Sequence, residues 1–230
     1  DGLGYSRLDA ADRTSSPPAF DFTEIDGRDG NDGDGNGDDS RIAAVGFGPT
    51  GPLVADDAGE VFSVDLGSEQ WTRVGETADV RAIDGGLVAA ADGVYRLDNG
   101  GLTHVGLDAA SDVAGHGVPL AATDDGLFRL GNGWLSVADG SFDAVANDGH
   151  GHASAVGFDG LHTQAETDGE WEHEELPVDE TVADIAYGSG LRAAVTEAGT
   201  LCVNAGDGWR HQRLGVPGVS GVAIAGSDAG

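Results

Sequence analysis

A short peptide recurs along the chain, and its spacing restricts the possible folds more than any other feature. Asp92-Gly93-Val94-Tyr95-Arg96-Leu97 and Asp125-Gly126-Leu127-Phe128-Arg129-Leu130 are nearly the same hexapeptide, 33 residues apart. Looser copies stand at Gly59 to Val64, Asp159 to Thr163 and Gly199 to Val203, and a sixth, Asp1 to Leu8, opens the chain. Upstream of each internal copy lie two stretches of mostly small and β-branched residues, such as Val80 to Ile83 followed by Leu87 to Ala91. Downstream comes a fourth run holding Trp71, Leu102, Trp134, Trp171 or Trp209. All four tryptophans occupy this slot, which marks a packing position repeated by the fold rather than a ligand box.

Each unit therefore reads as four strands, a to d, punctuated by Asp-Gly, Asn-Gly and Gly-Gly pairs that suit tight hairpins. The a strands begin near Arg41, Asp79, Ser111, Phe142 and Thr181, with a further one near Val219. Their spacings of 38, 32, 31, 39 and 38 residues match the period of a β-propeller blade. Helical repeats would need a 3.6-residue apolar period, which is nowhere sustained. The chain opens with a c strand (Gly2 to Leu8) and a d-like strand (Ala19 to Ile25), and finishes with a lone a strand (Val219 to Ala225). The expected fold is an all-β propeller of four-stranded antiparallel blades with six blade positions. Seven are expected if an N-terminal segment is missing, which the start at Asp1 without Met favours. A single domain over residues 1–230 is expected, with a disordered acidic Gly/Asp-rich loop at 26–40.

Charge describes the solvent. The 41 acidic residues face 11 basic ones, all Arg, for a formal net charge of −30. Such like charge pushes a compact state apart in dilute salt. At about 1 M salt the Debye length falls to ~3 Å and most of the repulsion is screened. An Asp-rich, Lys-free chain of this kind resembles proteins of haloarchaea, which hold molar salt in the cell. The charge argues against nucleic acid as a partner, because phosphate binding needs clustered Lys and Arg. No run approaches the ~18 apolar residues of a membrane span, so no membrane contact is expected. The single cysteine, Cys202, excludes an intrachain disulfide and reads as a small buried hydrophobe.

With these units in place, the chain resembles a family of haloarchaeal β-propeller proteins of unassigned activity. The resemblance rests on Asp79 to Asp84, the two closest hexapeptides, Gly131-Asn132-Gly133-Trp134 and Gly206-Asp207-Gly208-Trp209. It covers most of residues 41 to 226. It implies a propeller in a high-salt archaeal cytoplasm and carries no functional residues.

Several segments compete as sites. Asp32 to Gly37 matches the first half of a calcium loop, but the twelfth position is Ala43, where a bidentate Glu is needed. A solvated connector explains the segment more simply. His150 and His152, with Asp148, have the composition of a metal chelate, yet the glycines between them indicate a loop joining strands a and b. The b–c turns carry Asp57, Asp92, Asp125 and Asp159, and Arg41 and Arg81 open a strands near the same face. These six residues are the rim candidates for binding, although Asp before Gly also serves a hairpin turn by itself. No Gly-x-Ser-x-Gly, His-Glu-x-x-His or phosphate-binding loop is present. No catalytic residue, metal site or cofactor is therefore assigned. The expected function is a non-enzymatic binding or scaffold propeller that engages another protein or a small molecule at its face. The alternative is a propeller hydrolase or lyase with its site in a central funnel.

Overall fold

The computed structural model describes residues 3–7, 21–25, 41–65, 68, 70–216 and 218–224. Contacts divide the chain into two units, 1–42 and 43–230. In the first, β1 (Leu3–Arg7) and β2 (Asp21–Ile25) pair antiparallel, with Leu3 opposite Ile25 and Arg7 opposite Asp21. They are the c and d strands expected there. The loop at 26–40 and its half calcium motif lie outside the described residues.

Five four-stranded sheets follow, each running a-b-c-d in strand order. The first blade is β3 (Ile42–Gly48), β4 (Gly51–Asp56), β5 (Glu60–Asp65) and β6 (Gln70–Glu76). The second is β7 (Val80–Asp84), β8 (Leu87–Ala90), β9 (Gly93–Asp98) and β10 (Gly101–Gly106). The third is β11 (Asp112–Ala114), β12 (Leu120–Thr123), β13 (Gly126–Leu130) and β14 (Trp134–Asp139). The fourth is β15 (Phe142–Asn147), β16 (Ala153–Gly157), β17 (Gly160–Gln164) and β18 (Glu172–Glu174). The fifth is β19 (Val182–Gly188), β20 (Leu191–Thr196), β21 (Thr200–Asn204) and β22 (Trp209–Arg213).

Among the described residues the blades number five, which corrects the six or seven expected. The expected last a strand forms no strand over residues 218–224. A strand needs a ladder partner, and residues 218–224 have none among the described residues. The β1–β2 hairpin is a two-stranded sheet among the described residues.

The core lies between blades rather than within one. Apolar clusters join the first and second blades (Leu53, Val61, Ile83, Val88), and the third and fourth (Leu120, Leu127, Val145, Ala155). Others join the second and third (Leu87, Val94, Val113) and the fourth and fifth (Val156, Leu161, Ile185, Cys202). A sheet covered on both faces loses the in–out alternation of a half-buried strand. Accordingly β8, β12 and β16 are buried along their whole length, while β22 is largely exposed. The residues of the d-strand slot cap these seams. Leu102, Trp134, Trp171 and Trp209 each pack on the cluster their blade shares with the one before it. Trp134 also donates its indole N–H to the Val105 carbonyl of the preceding blade at 3.1 Å. Trp134→Phe is expected to cost about 1–2 kcal/mol through that lost bond and the smaller ring, measured by denaturant melts in molar KCl.

Neighbouring a strands approach closely. A Cβ on Gly46 would stand 1.8 Å from the Ile83 carbonyl oxygen, so only glycine fits there. A bulge interrupts the a–b pairing in the second, fourth and fifth blades, just before Ala82, Ala144 and Asp184. Bulges bend the strand and increase its twist.

Candidate functional site

The rim candidates lie where the strand topology puts them. Asp57, Asp92, Asp125 and Asp159 are exposed in b–c turns. Asp92 accepts hydrogen bonds from the Thr77 hydroxyl at 3.0 Å and the Tyr95 hydroxyl at 2.9 Å. Asp125 donates its backbone N–H to Thr123 Oγ1. Asp159 pairs with the His162 ring at 2.7 Å, and that bond holds its carboxyl below the usual value. Arg81 reaches the Ala110 carbonyl at 3.4 Å and Asp79 at 3.7 Å. Arg41 is exposed just before β3. Asp92 and Asp159 are thus engaged by neighbours within or beside their own blades.

Three carboxylates that sequence reasoning passed over stand on a strands and reach the backbone of the segment that follows in the next blade position. Asp84 accepts the Gly115 N–H at 2.8 Å and meets His116 Nδ1 at 3.1 Å. Asp112 accepts the N–H of Val113 at 2.8 Å and that of Val145, in the next blade, at 2.7 Å. Asp184 repeats this geometry with Ile185 and Val222, both at 2.7 Å. The ladders put Asp112 and Asp184 opposite Ala122 and Val195, the register position held by Ala82 and Ala144 in the second and fourth blades. Part of Asp112 still reaches solvent, but protein surrounds its carboxyl. Burial, then the charge of Asp184, push it well above the usual carboxylate range. Burial likewise raises Asp184 to about 6, against the backbone hydrogen bonds that favour its ionised form. The hydrogen bond to Asp84 raises His116. A departure from Ala at one repeat position is the signal in the sequence that could have identified Asp112 and Asp184.

The a–b and c–d turns occupy the end of the blades opposite the b–c turns. There, between the fourth and fifth blades, lies an open cleft of about 490 Å³. Its walls are Asp148 and His152 from the a–b loop of the fourth blade, Thr163 to Ala165 from the end of β17, Tyr187, Gly188, Gly190, Leu191 and Arg192 around the a–b turn of the fifth blade, and Asn204, Gly206 and Gly208 from its c–d turn. The His150–His152 segment is a loop, and both imidazoles turn back on Asp148. His150 Nδ1 meets the Asp148 carbonyl at 2.8 Å, and His152 Nδ1 meets its carboxylate at 2.6 Å. Burial opposes ionisation of Asp148, but the His150 amide, the His152 ring and the His152 amide together hold it below the usual value.

Across the cleft, Arg192 is fixed from three sides. It pairs with Glu174 at 2.6 Å, lies 4.8 Å from the centre of the Trp209 ring and donates to Ser154 Oγ at 3.3 Å. Tyr187 shares a 2.8 Å hydrogen bond with the same Ser154 hydroxyl, and burial raises its phenol. The site therefore offers a fixed guanidinium, a phenol, amide groups and an imidazole–carboxylate pair around exposed glycine backbone. Among the described residues, no group of three His, Cys, Asp or Glu side chains is placed to hold a metal ion. No helix among them is long and apolar enough to cross a membrane.

Five four-stranded antiparallel blades with cores between them define a β-propeller. The chain belongs to the HVO_0234-like beta-propeller family, whose profile matches residues 26–225. Among solved structures it is similar to YCF48 bound to a D1 peptide, with a TM-score of 0.55 and 14% identity, over 75% of this chain and 67% of that one. It is also similar to the computationally designed Ika8 protein, with a TM-score of 0.52 and 15% identity, over 71% of this chain and 58% of the designed one. At these identities the likeness extends to the fold. No curated protein matches the chain.

Proposed function

We propose that this chain is a non-enzymatic binding propeller that takes an extended segment of a partner protein in the cleft between its fourth and fifth blades. The observation that carries this reading is the convergence of polar groups from the turns of two blades around one open trough. A small-molecule site ordinarily encloses most of its ligand. An open trough edged by Gly188, Gly190, Gly206 and Gly208 instead exposes backbone groups along its length, which suits an extended chain. The structural neighbour YCF48 was solved with a peptide, which agrees in kind. The net charge of −30 favours a partner with a basic surface, met in a high-salt archaeal cytoplasm.

The alternative, a hydrolase or lyase with its site among the a strands, draws on the raised acids Asp112 and Asp184. Both oxygens of each of these carboxyls already accept backbone N–H groups, which leaves the binding reading ahead. The test is site-specific photocross-linking in a haloarchaeal host, with benzoylphenylalanine placed at Asn204 in the cleft or at Asp125 on the opposite face. A discrete adduct from position 204 alone is expected. Adducts from position 125 alone would move recognition to the b–c turns.

A further inference from the structure

Residues 218–224 contain no strand, yet they hold the place beside β19 that an a strand would take. Three contacts keep them there. Val222 donates its N–H to Asp184 at 2.7 Å, Gly218 donates to the Glu197 carbonyl at 3.0 Å, and Ile224 lies against Gly188. The Val222 bond repeats the one from Val145 to Asp112, but with a difference of context. Val145 belongs to a strand already held by its ladder to β16, whereas Val222 has no ladder.

A hydrogen bond that is one of many in the third blade is thus a principal hold on this segment in the fifth. Its far end meets the cleft. A Cβ on Gly188 would stand 2.3 Å from Ile224 Cγ2, and Gly188 lines the cleft beside Tyr187 and Gly190.

We propose that residues 218–224 form a strap, clasped to the fifth blade by Asp184, whose docking fixes the Gly188–Gly190 wall of the cleft. The role given to that wall rests on the binding reading above; the clasp does not. A docked strap stiffens the turn from behind, so a partner meets a pre-formed wall. A released strap leaves Gly188, Ser189 and Gly190 free to move.

Hydrogen exchange read by mass spectrometry in molar KCl tests the clasp. Asp184→Ala should speed exchange across 218–224 by about tenfold while β20 and β21 stay protected, because a clasp acts only on what it holds. The fold should tolerate this change, since Ala82 and Ala144 fill the same register position in other blades. Asp112→Ala should leave 218–224 unchanged. Gly188→Val, which wedges Ile224 away without touching the carboxyl, should reproduce the release. A spin label on Ser189→Cys then reads the wall; Cys202 is buried and its thiol is pushed up by burial, so it labels slowly. The label should become more mobile in Asp184→Ala. Unchanged exchange at 218–224 in Asp184→Ala would overturn the clasp. Faster exchange with an unchanged label would overturn the coupling to the cleft. Neither outcome bears on which face the partner occupies, which the cross-linking decides.

Discussion

Raising the pH from about 3 to about 7 should cost this protein roughly 3 kcal/mol of stability through Asp184 alone, and more once Asp112 is included. An unfolded Asp ionises near 3.8, whereas folded Asp184 does so at about 6, and burial also holds Asp112 well above the usual carboxylate range. Between those values the folded chain keeps protons that the unfolded chain has released. The stabilisation is therefore complete below the unfolded value and disappears as pH rises through the folded one. His116 adds in the same direction, with its loss falling above its ordinary value of 6.5.

Surface carboxylates also protonate over the acid part of this range, so the comparison must be internal. The double variant Asp112→Ala/Asp184→Ala keeps the surface and removes the buried acids. Guanidinium melts in molar KCl at stepped pH should show a flatter profile for the variant. Its stability relative to the parent should be greatest at neutral pH, where the parent carries the cost of buried charge. Parallel profiles for parent and variant would show that the a-strand carboxyls are not held as described.

Dilution should have a larger effect still. With 41 acids and 11 Arg, the formal net charge is −30, and acids outnumber cations by nearly four to one. Ion pairs among the described residues include Arg73 with Glu60 and Glu76, Arg192 with Glu174, and Arg213 with Glu180. From 1 M to 0.01 M salt the Debye length grows from about 3 Å to about 30 Å, so repulsion that was screened at contact range acts across whole blades. Loss of the β-sheet circular dichroism signal is expected below about 1 M KCl, with recovery on adding salt back. An unchanged spectrum at about 50 mM salt would contradict a fold adapted to high ionic strength.

The repeat made the blades legible because each strand returns at one place in the unit. The a strands were expected near Arg41, Asp79, Ser111, Phe142 and Thr181, and they begin at Ile42, Val80, Asp112, Phe142 and Val182. The four tryptophans were legible as packing residues for the same reason. Val219 to Ala225 misled because it has an a-strand composition, and composition does not reveal that residues 218–224 pair with no strand among the described residues. The bulges before Ala82, Ala144 and Asp184 leave no local mark, since they follow from the twist of paired strands.

The cleft was illegible for a different reason. Asp148 and His152 come from one blade, and Tyr187, Arg192 and Asn204 from the next. No short motif spans that separation, and only the packing of two blades brings them together. The turn Asp residues of the rim lie at the end of the blades opposite this cleft, and Asp-Gly pairs are conspicuous in sequence whether or not they bind anything.

The most direct measurement of recognition at this cleft is a calorimetric titration in molar KCl, using the partner captured by cross-linking. Parent protein, Asn204→Arg and Asp125→Arg would be compared. Recognition at the cleft predicts at least about a tenfold weaker Kd for Asn204→Arg, about 1.4 kcal/mol, and an unchanged Kd for Asp125→Arg. Weakening by Asp125→Arg with full affinity in Asn204→Arg would contradict it.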